Sequence, residues 1–328
     1  MSNWSPDEEG VLVRAVQRAP SVHNTQPWVL ELHQRSALLF ERGDVSLPHH
    51  DPTGRDRLIS CGAALTNLVL AVRNLGWRTA VALFPDPTHP DHVVTVTAVS
   101  PQPPTETEAA WFAAIPRRRS HREPFASSPL DEDEIRALMA AADEPGVDVH
   151  RISGPEQAHA VAGLFEHAAG VLRHDSGYQR ELAAWTVSGT EDPTGTGIPR
   201  LRLEGTGLFG GLVRPGGPAP DRYVLASRLQ QECVLVVLTA EDGKRDHTVA
   251  GAVLERVWLT ATSLGLGASV VTQPLHLREV RSGLAERLDL PGFPQALLRV
   301  GRTVDTPPAV PHRRPADLVR PHTDGGET

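Results

Sequence analysis

The sequence predicts an α+β sandwich, internally duplicated, with two related halves in one chain of 328 residues. Three observations predict it. An apolar helix is written twice without gaps, as "GAALTNLVLAVRNLGW" at 62–77 and "GAVLERVWLTATSLGL" at 251–266, an offset of 189. Gly62 and Gly251, Ala63 and Ala252, Leu65 and Leu254, Leu75 and Leu264, Gly76 and Gly265 coincide. Second, an acid-started amphipathic helix precedes each copy, "SPDEEGVLVRAVQRA" and "PLDEDEIRALMAAA", each followed by a strand pattern, "WVLELH" or "VDVHRI". Third, "SPQPPTETE" at 100–108 reads as a linker. Residues 1–105 then form a reduced first half and 106–328 a longer second half. Helices mixed with strands in each half give the α+β class.

The first helix has Ser5 as N-cap, Pro6 at the first helical position and acids in its first turn. Val11, Leu12, Ala15, Val16 and Ala19 form its apolar stripe, and Pro20 disfavours helical geometry at Ala19. The loop that follows carries Ser21, His23, Asn24, Thr25 and Gln26 between Pro20 and Pro27. Composition alone allows an ordinary turn there. His49 and His50 precede "DPTGRDR", which reads as a surface turn. Each repeated helix is apolar nearly all round, as a core helix is. Each ends in Leu-Gly, a C-cap signal, and runs into a strand-like stretch, "TAVALF" or "ASVVT".

"RRRSHREPF" at 117–125 lies early in the second half, with Arg117, Arg118, Arg119 and Arg122 bracketing Ser120. Forked guanidinium groups around a hydroxyl suit a phosphate, and also fit a solvated basic turn. The excess length of the second half falls between about 153 and 232. It starts as helices, "PEQAHAVAGLFEHAAGVLRH" and "SGYQRELAAWTV". A lid-like insertion, about 186–222, then becomes rich in Gly and Pro. Inside it, "GTGLFG" has the G-x-G-x-x-G spacing, but "RLRLE" precedes and "GLVRPGGP" follows. Without a strand before and a helix after, it is a flexible loop and not a dinucleotide site.

Composition narrows the classes. The chain is 40% hydrophobic and 22% charged, as a globular protein is. A net charge of −8 speaks against nucleic acid or an anionic membrane as partner. The histidines are scattered without H-E-x-x-H, and two cysteines, Cys61 and Cys233, give no ligand spacing, so no metal site is expected. No G-x-S-x-G elbow occurs. "MSNWSPDEEG" has no apolar h-region, so no signal peptide is expected, and no run reaches a membrane span. A cytoplasmic location fits the sparse cysteines.

Taken together, "APSVHNTQPW", "RRRSHR", "SLGLGAS" and "HRRP" resemble the flavin-dependent nitroreductase family. "GRDRLISCGAALTNL" and "QALLRVGR" with "HRRP" resemble its Acg-like branch, whose chains fuse two nitroreductase halves. In the ordinary family a homodimer places FMN at its interface. One subunit supplies the arginine stretch and C-terminal basic residues, the other the A-P-S loop. Here the order departs from that pattern. The A-P-S loop lies in the first half, which opens without an arginine stretch, and "AADEPGVDVH" stands where the second half should repeat A-P-S. The resemblance therefore implies one complete FMN site per chain, with the chain mimicking the homodimer as a monomer.

By motif, Arg118, Arg119 and Ser120 are implied at the phosphate and ribityl chain, and Arg122 at the N1/O2 side. Pro20, Ser21, Val22 and Asn24 are implied against the ring, and Thr272 and Gln273 near N5. Arg314, with Arg313 or His312, is implied to complete the phosphate site. The resemblance names no dedicated catalytic residue. The activity it implies is two-electron transfer from NAD(P)H through FMN to a small acceptor such as a nitroaromatic or quinone. The alternative is a flavin-sequestering protein whose insertion covers the ring.

Overall fold

The computed structural model describes residues 3–187, 194–200, 221–305, 307, 310 and 312–320. The first half runs α1 (Pro6–Gln17), β1 (Trp28–His33), β2 (Ser36–Glu41), α2 (Arg55–Asn74), β3 (Trp77–Leu83) and β4 (His92–Pro101). Its strands form an antiparallel sheet of order β1-β2-β4-β3. The second half opens with α3 (Glu106–Ala114), α4 (Glu132–Ala140) and β5 (Val147–Arg151). There follow α5 (Gly154–His174), α6 (Ser176–Ala184), the short strands β6 (Thr186–Val187) and β7 (Ile198–Pro199), and α7 (Arg222–Gln231). The half closes with β8 (Cys233–Thr239), α8 (Lys244–Ser263), β9 (Gly267–Val271), α9 (Arg278–Arg287) and β10 (Phe293–Gly301).

The second large sheet has the order β5-β8-β10-β9, again antiparallel. In both sheets the order is first, second, fourth, third, with the long helix between second and third strands. The halves share one topology. They differ where the second is longer. β1 and β2 meet across a turn at Gln34 and Arg35, whereas β5 and β8 pair although 152–232 lie between them. The two helices expected there are α5 and α6. Of the lid-like insertion, only 186–187, 194–200 and 221–222 are described; "GTGLFG" lies outside the described residues.

Local signals account for several boundaries. Ser5 and Glu8 form a capping box at α1, and Asp131 and Glu134 form one at α4. The long helices end where the repeat does, before Gly76 and Gly265, whose φ of 86° and 77° suits glycine. They begin earlier than the apolar repeat, at Arg55 and Lys244, because their first turns carry charged residues.

α2 and α8 cross at the repeated glycines. A Cβ on Gly62 would lie 1.9 Å from the Thr248 carbonyl oxygen, and one on Gly251 would lie 2.0 Å from the Ile59 carbonyl oxygen. At the offset of 189, Ile59 and Thr248 are equivalent positions. The crossing is therefore reciprocal, as an isologous interface is. The cores interlock there: Ala252 and Leu259 join the core of the first half, and Ile59 that of the second. The chain's tail crosses as well. Leu30 on the edge strand β1 bonds Leu318 and Arg320 through its N–H and carbonyl, at 2.8 and 2.9 Å.

Candidate functional site

Between the halves lies a cavity that encloses about 1330 Å³ of empty space, solvent at its mouth included. One wall is the loop after α1. His23, Asn24 and Gln26 have φ of 46°, 55° and 48°, a left-handed conformation that strains side-chain-bearing residues. The loop's polar side chains and their neighbours hold it there. Ser21 Oγ accepts from the Gln26 N–H at 3.0 Å, and the Val22 N–H donates to Ser60 Oγ at 3.1 Å. Gln26 Nε2 donates to the Gly195 carbonyl at 2.7 Å, and Asn24 Nδ2 to that of Gly197 at 3.3 Å. Gln26 Oε1 accepts the Arg313 N–H at 3.0 Å. The loop is thus tied to 194–200 and to the tail.

α2 forms the adjoining wall. Asp56, Ile59, Ser60 and Ala63 line it at i, i+3, i+4 and i+7, one helix face. Leu254 and Trp258 of α8 line it from the other half. Opposite the loop stand Arg118, Ser120 and Arg122, in the segment that pairs with β9 through a bridge from Ser120 to Ala268. Thr272 and Gln273 enter where β9 gives way to a 3₁₀ turn, Gln273–His276.

The fold thus brings Pro20, Ser21, Val22, Asn24, Arg118, Ser120, Arg122, Thr272 and Gln273 to one cavity. Arg119 lines a smaller adjoining cavity with Arg18, Arg118, Ser120, Arg122 and His312. Arg313 and Arg314 line neither cavity. Arg314 sits just before the 3₁₀ turn Pro315–Asp317 and turns outward to pair with Asp317 at 3.0 Å. Arg313 bends back to the Thr25 carbonyl at 3.3 Å. The residue of that run that does face both cavities is His312.

One end of the site is strongly cationic. Arg18, Arg118, Arg119, Arg122 and His312 share the smaller cavity, and no carboxylate among the described residues lines it. Burial and the charges of Arg18, Arg118 and Arg119 push the His312 imidazole down to about 3. Arg118 is buried, its guanidinium 4.4 Å from the Trp258 ring centroid. Its Nε has no hydrogen-bond partner and lies 3.4 Å from Glu255 Oε1.

Glu255 is fully buried, and burial outweighs the pull of Arg118 to push its carboxyl up to about 8. The folded state therefore binds the Glu255 proton more tightly than the unfolded chain does. Wild-type stability should fall on this account as pH rises from about 4.5 to about 8. Glu255→Gln should remove that slope, so its melting temperature relative to wild type should rise across the same window. A difference that is flat with pH would contradict the raised carboxyl.

Several lining groups were not singled out from sequence: Asp56, Ser60, Tyr178, Trp258 and Arg299. The spacing of Asp56, Ile59, Ser60 and Ala63 was the available signal on α2. Arg299 gives none, being a fully buried arginine inside an apolar strand, paired with Glu232 at 2.6 Å. The two histidines before "DPTGRDR" differ in burial. His49 is exposed, but His50 is 1% exposed and faces inward.

Residues 223–302 match the model of the nitroreductase family. Two Mycobacterium tuberculosis proteins with provisional NAD(P)H nitroreductase names are similar along almost their whole length. Rv3131 is 34% identical, covering 97% of this chain and 93% of its own. The acg protein is 33% identical, covering 94% and 95%. The chain belongs to the nitroreductase family. Among solved structures, the nitroreductase-like family protein from Bacillus cereus is 16% identical with a TM-score of 0.40, covering 66% of this chain and 96% of that one. A nitroreductase with bound FMN from Bacteroides fragilis is 14% identical with a TM-score of 0.39, covering 66% and 97%. Within this nitroreductase-family chain the matched segment 223–302 holds Trp258, Thr272, Gln273 and Arg299. The loop and the arginine stretch lie outside it. No helix among the described residues is long and apolar enough to cross a membrane.

Proposed function

We propose that the cavity binds one FMN per chain and that the protein transfers two electrons from NAD(P)H to a small acceptor such as a nitroaromatic or quinone. The observation that carries this reading is the pairing of a cationic end, without lining carboxylates among the described residues, to an apolar slot walled by both halves. A phosphate fits the cationic end on chemical grounds: it would neutralise the charges that depress His312. Pro20, Val22, Ile59 and Ala63 offer the flat apolar surface that a ring system needs.

When bound, FMN supplies reversible two-electron chemistry. The residues of the chain bind and orient it. Arg118, Ser120 and the neighbouring Arg119 hold the phosphate end. Arg122 places positive charge beside the ring, which favours a reduced, anionic ligand. Pro20, Ser21, Val22 and Asn24 shape the ring end, with Thr272 and Gln273 at the opposite edge.

The same reading makes 1–105 and 106–328 two nitroreductase-like halves that arose by duplication and act as a monomeric counterpart of a dimer. Their shared strand order and reciprocal glycine crossing support it.

A second reading is flavin sequestration with little turnover. Gly197 and Ile198 line the cavity, and Gly195 and Gly197 bond the loop, so the insertion forms part of the wall. Anaerobic mixing with NADH or NADPH separates the two. The enzyme reading expects rapid bleaching of the flavin absorption and its return on adding an acceptor. Flavin that dithionite bleaches but neither nicotinamide does would contradict it and favour sequestration.

A further inference from the structure

Beside the cavity, a compact group of buried side chains gathers from three distant parts of the chain. Asp56, in the first turn of α2, is 2% exposed. Its Oδ2 lies 3.0 Å from His276 Nε2 and 3.4 Å from His50 Nε2, and it accepts the Thr272 hydroxyl. One ligand atom from each of His50, Asp56 and His276 lies within 4.8 Å of the others. A tetrahedral ion with bonds of about 2.0–2.1 Å separates its ligand atoms by about 3.3 Å, so the two contacts to Oδ2 already bracket that spacing.

Two further features point to a cation rather than to a satisfied hydrogen-bond network. First, His50 Nε2 is buried and faces Asp56 Oδ2 at 3.4 Å without a well-formed hydrogen bond. His50 Nδ1 lies 3.0 Å from His23 Nε2. If Nδ1 carries the proton and donates to His23, the Nε2 lone pair points toward a carboxylate oxygen. Two acceptors then face each other, a contact that a positive ion between them relieves. A ligating imidazole that gives its other N–H to a neighbour is the usual arrangement.

Second, the geometry leaves one carboxylate oxygen to the histidines: Arg55 Nε stands 3.5 Å from Asp56 Oδ1, on the other oxygen.

We propose that His50, Asp56 and His276 form a three-ligand site for a divalent transition-metal ion of the zinc class. Two imidazole nitrogens with one carboxylate favour zinc, cobalt or ferrous iron over calcium or magnesium, which take mainly oxygen ligands. Each histidine keeps one ring proton and offers Nε2. Binding displaces any proton from that atom to solvent and leaves the remaining position to water. His23 positions His50 without touching the ion. The site does not depend on the flavin reading.

The test uses the full chain, stripped with a chelator and titrated with Zn²⁺ and Co²⁺, with bound metal read by elemental analysis. Wild type should take up one equivalent, and His276→Gln should lose it. His23→Gln should weaken affinity by about ten- to a hundred-fold. His89→Gln, at an exposed site, should match wild type. No stoichiometric uptake by wild type, or unchanged uptake in a folded His276→Gln, overturns the assignment. Should His276→Gln not fold, the Co²⁺ spectrum of wild type decides. Strong ligand-field absorption of a low-coordinate ion supports the site, and the weak bands of a six-coordinate aqua ion overturn it.

Discussion

Gly251→Ala should be among the most destabilising single substitutions in this protein. The new Cβ would meet the Ile59 carbonyl oxygen at 2.0 Å and its carbonyl carbon at 2.7 Å. These are backbone atoms of a buried helix, so no side-chain rotation relieves the clash and α2 and α8 must separate. Overpacking in cores ordinarily costs ~1–3 kcal/mol. A helix separation that also opens both cores should exceed that, at roughly 3–5 kcal/mol, a large share of the ~5–15 kcal/mol that holds a domain folded. Gly62→Ala, whose Cβ would meet Thr248 at 1.9 Å, should cost a similar amount. The double variant should cost less than the sum, because one separation relieves both contacts. Gly43→Ala, with nothing within 4 Å, is the control. Urea unfolding measures all four. A Gly251→Ala stability within about 0.5 kcal/mol of wild type would contradict the close crossing.

Arg118→Ala should weaken FMN binding about ten- to a hundred-fold, because a hydrogen bond to a charged group is worth about 1.5–3 kcal/mol. Riboflavin, which lacks the phosphate, should bind nearly as before. Loss of the guanidinium also removes the partner of Glu255, but a carboxyl pushed up to about 8 is mostly protonated at neutral pH, so the fold should tolerate the change. Asn24→Ala, on the loop wall of the first half, should weaken both flavins alike. Titration of both flavins into stripped protein of each variant separates these effects. An unchanged preference for FMN over riboflavin in a folded Arg118→Ala would remove the phosphate assignment and leave "RRRSHR" a basic turn.

What could be read from the sequence depended on whether the signal was local. The α1 cap and most of its stripe are local, and the structure has them, with the helix ending at Gln17, shortly before the expected end. The repeated apolar helices were legible, because burial on all sides leaves a distinctive string. Their first turns were not. Arg55 and Asp56 look like surface residues, and the partners that let them be buried, Leu275, Thr272 and His276, lie more than 200 residues away. The A-P-S string pointed to the cavity wall, but its left-handed residues are held by contacts with Ser60, Gly195 and Gly197 that no local pattern encodes. In the tail motif, His312 is the side chain that lines the cavities, and Arg313 and Arg314 turn elsewhere. Which of His312, Arg313 and Arg314 turns inward is decided by the turn at Pro315 and the pull of Asp317.

The central claim is that two unlike halves of one chain build one flavin site. Size-exclusion chromatography with light scattering and flavin absorbance, on protein saturated with FMN, tests it most directly. The account predicts a particle of one 35.4 kDa chain carrying one FMN. Two FMN per chain, or flavin found only on particles of two chains, would contradict it.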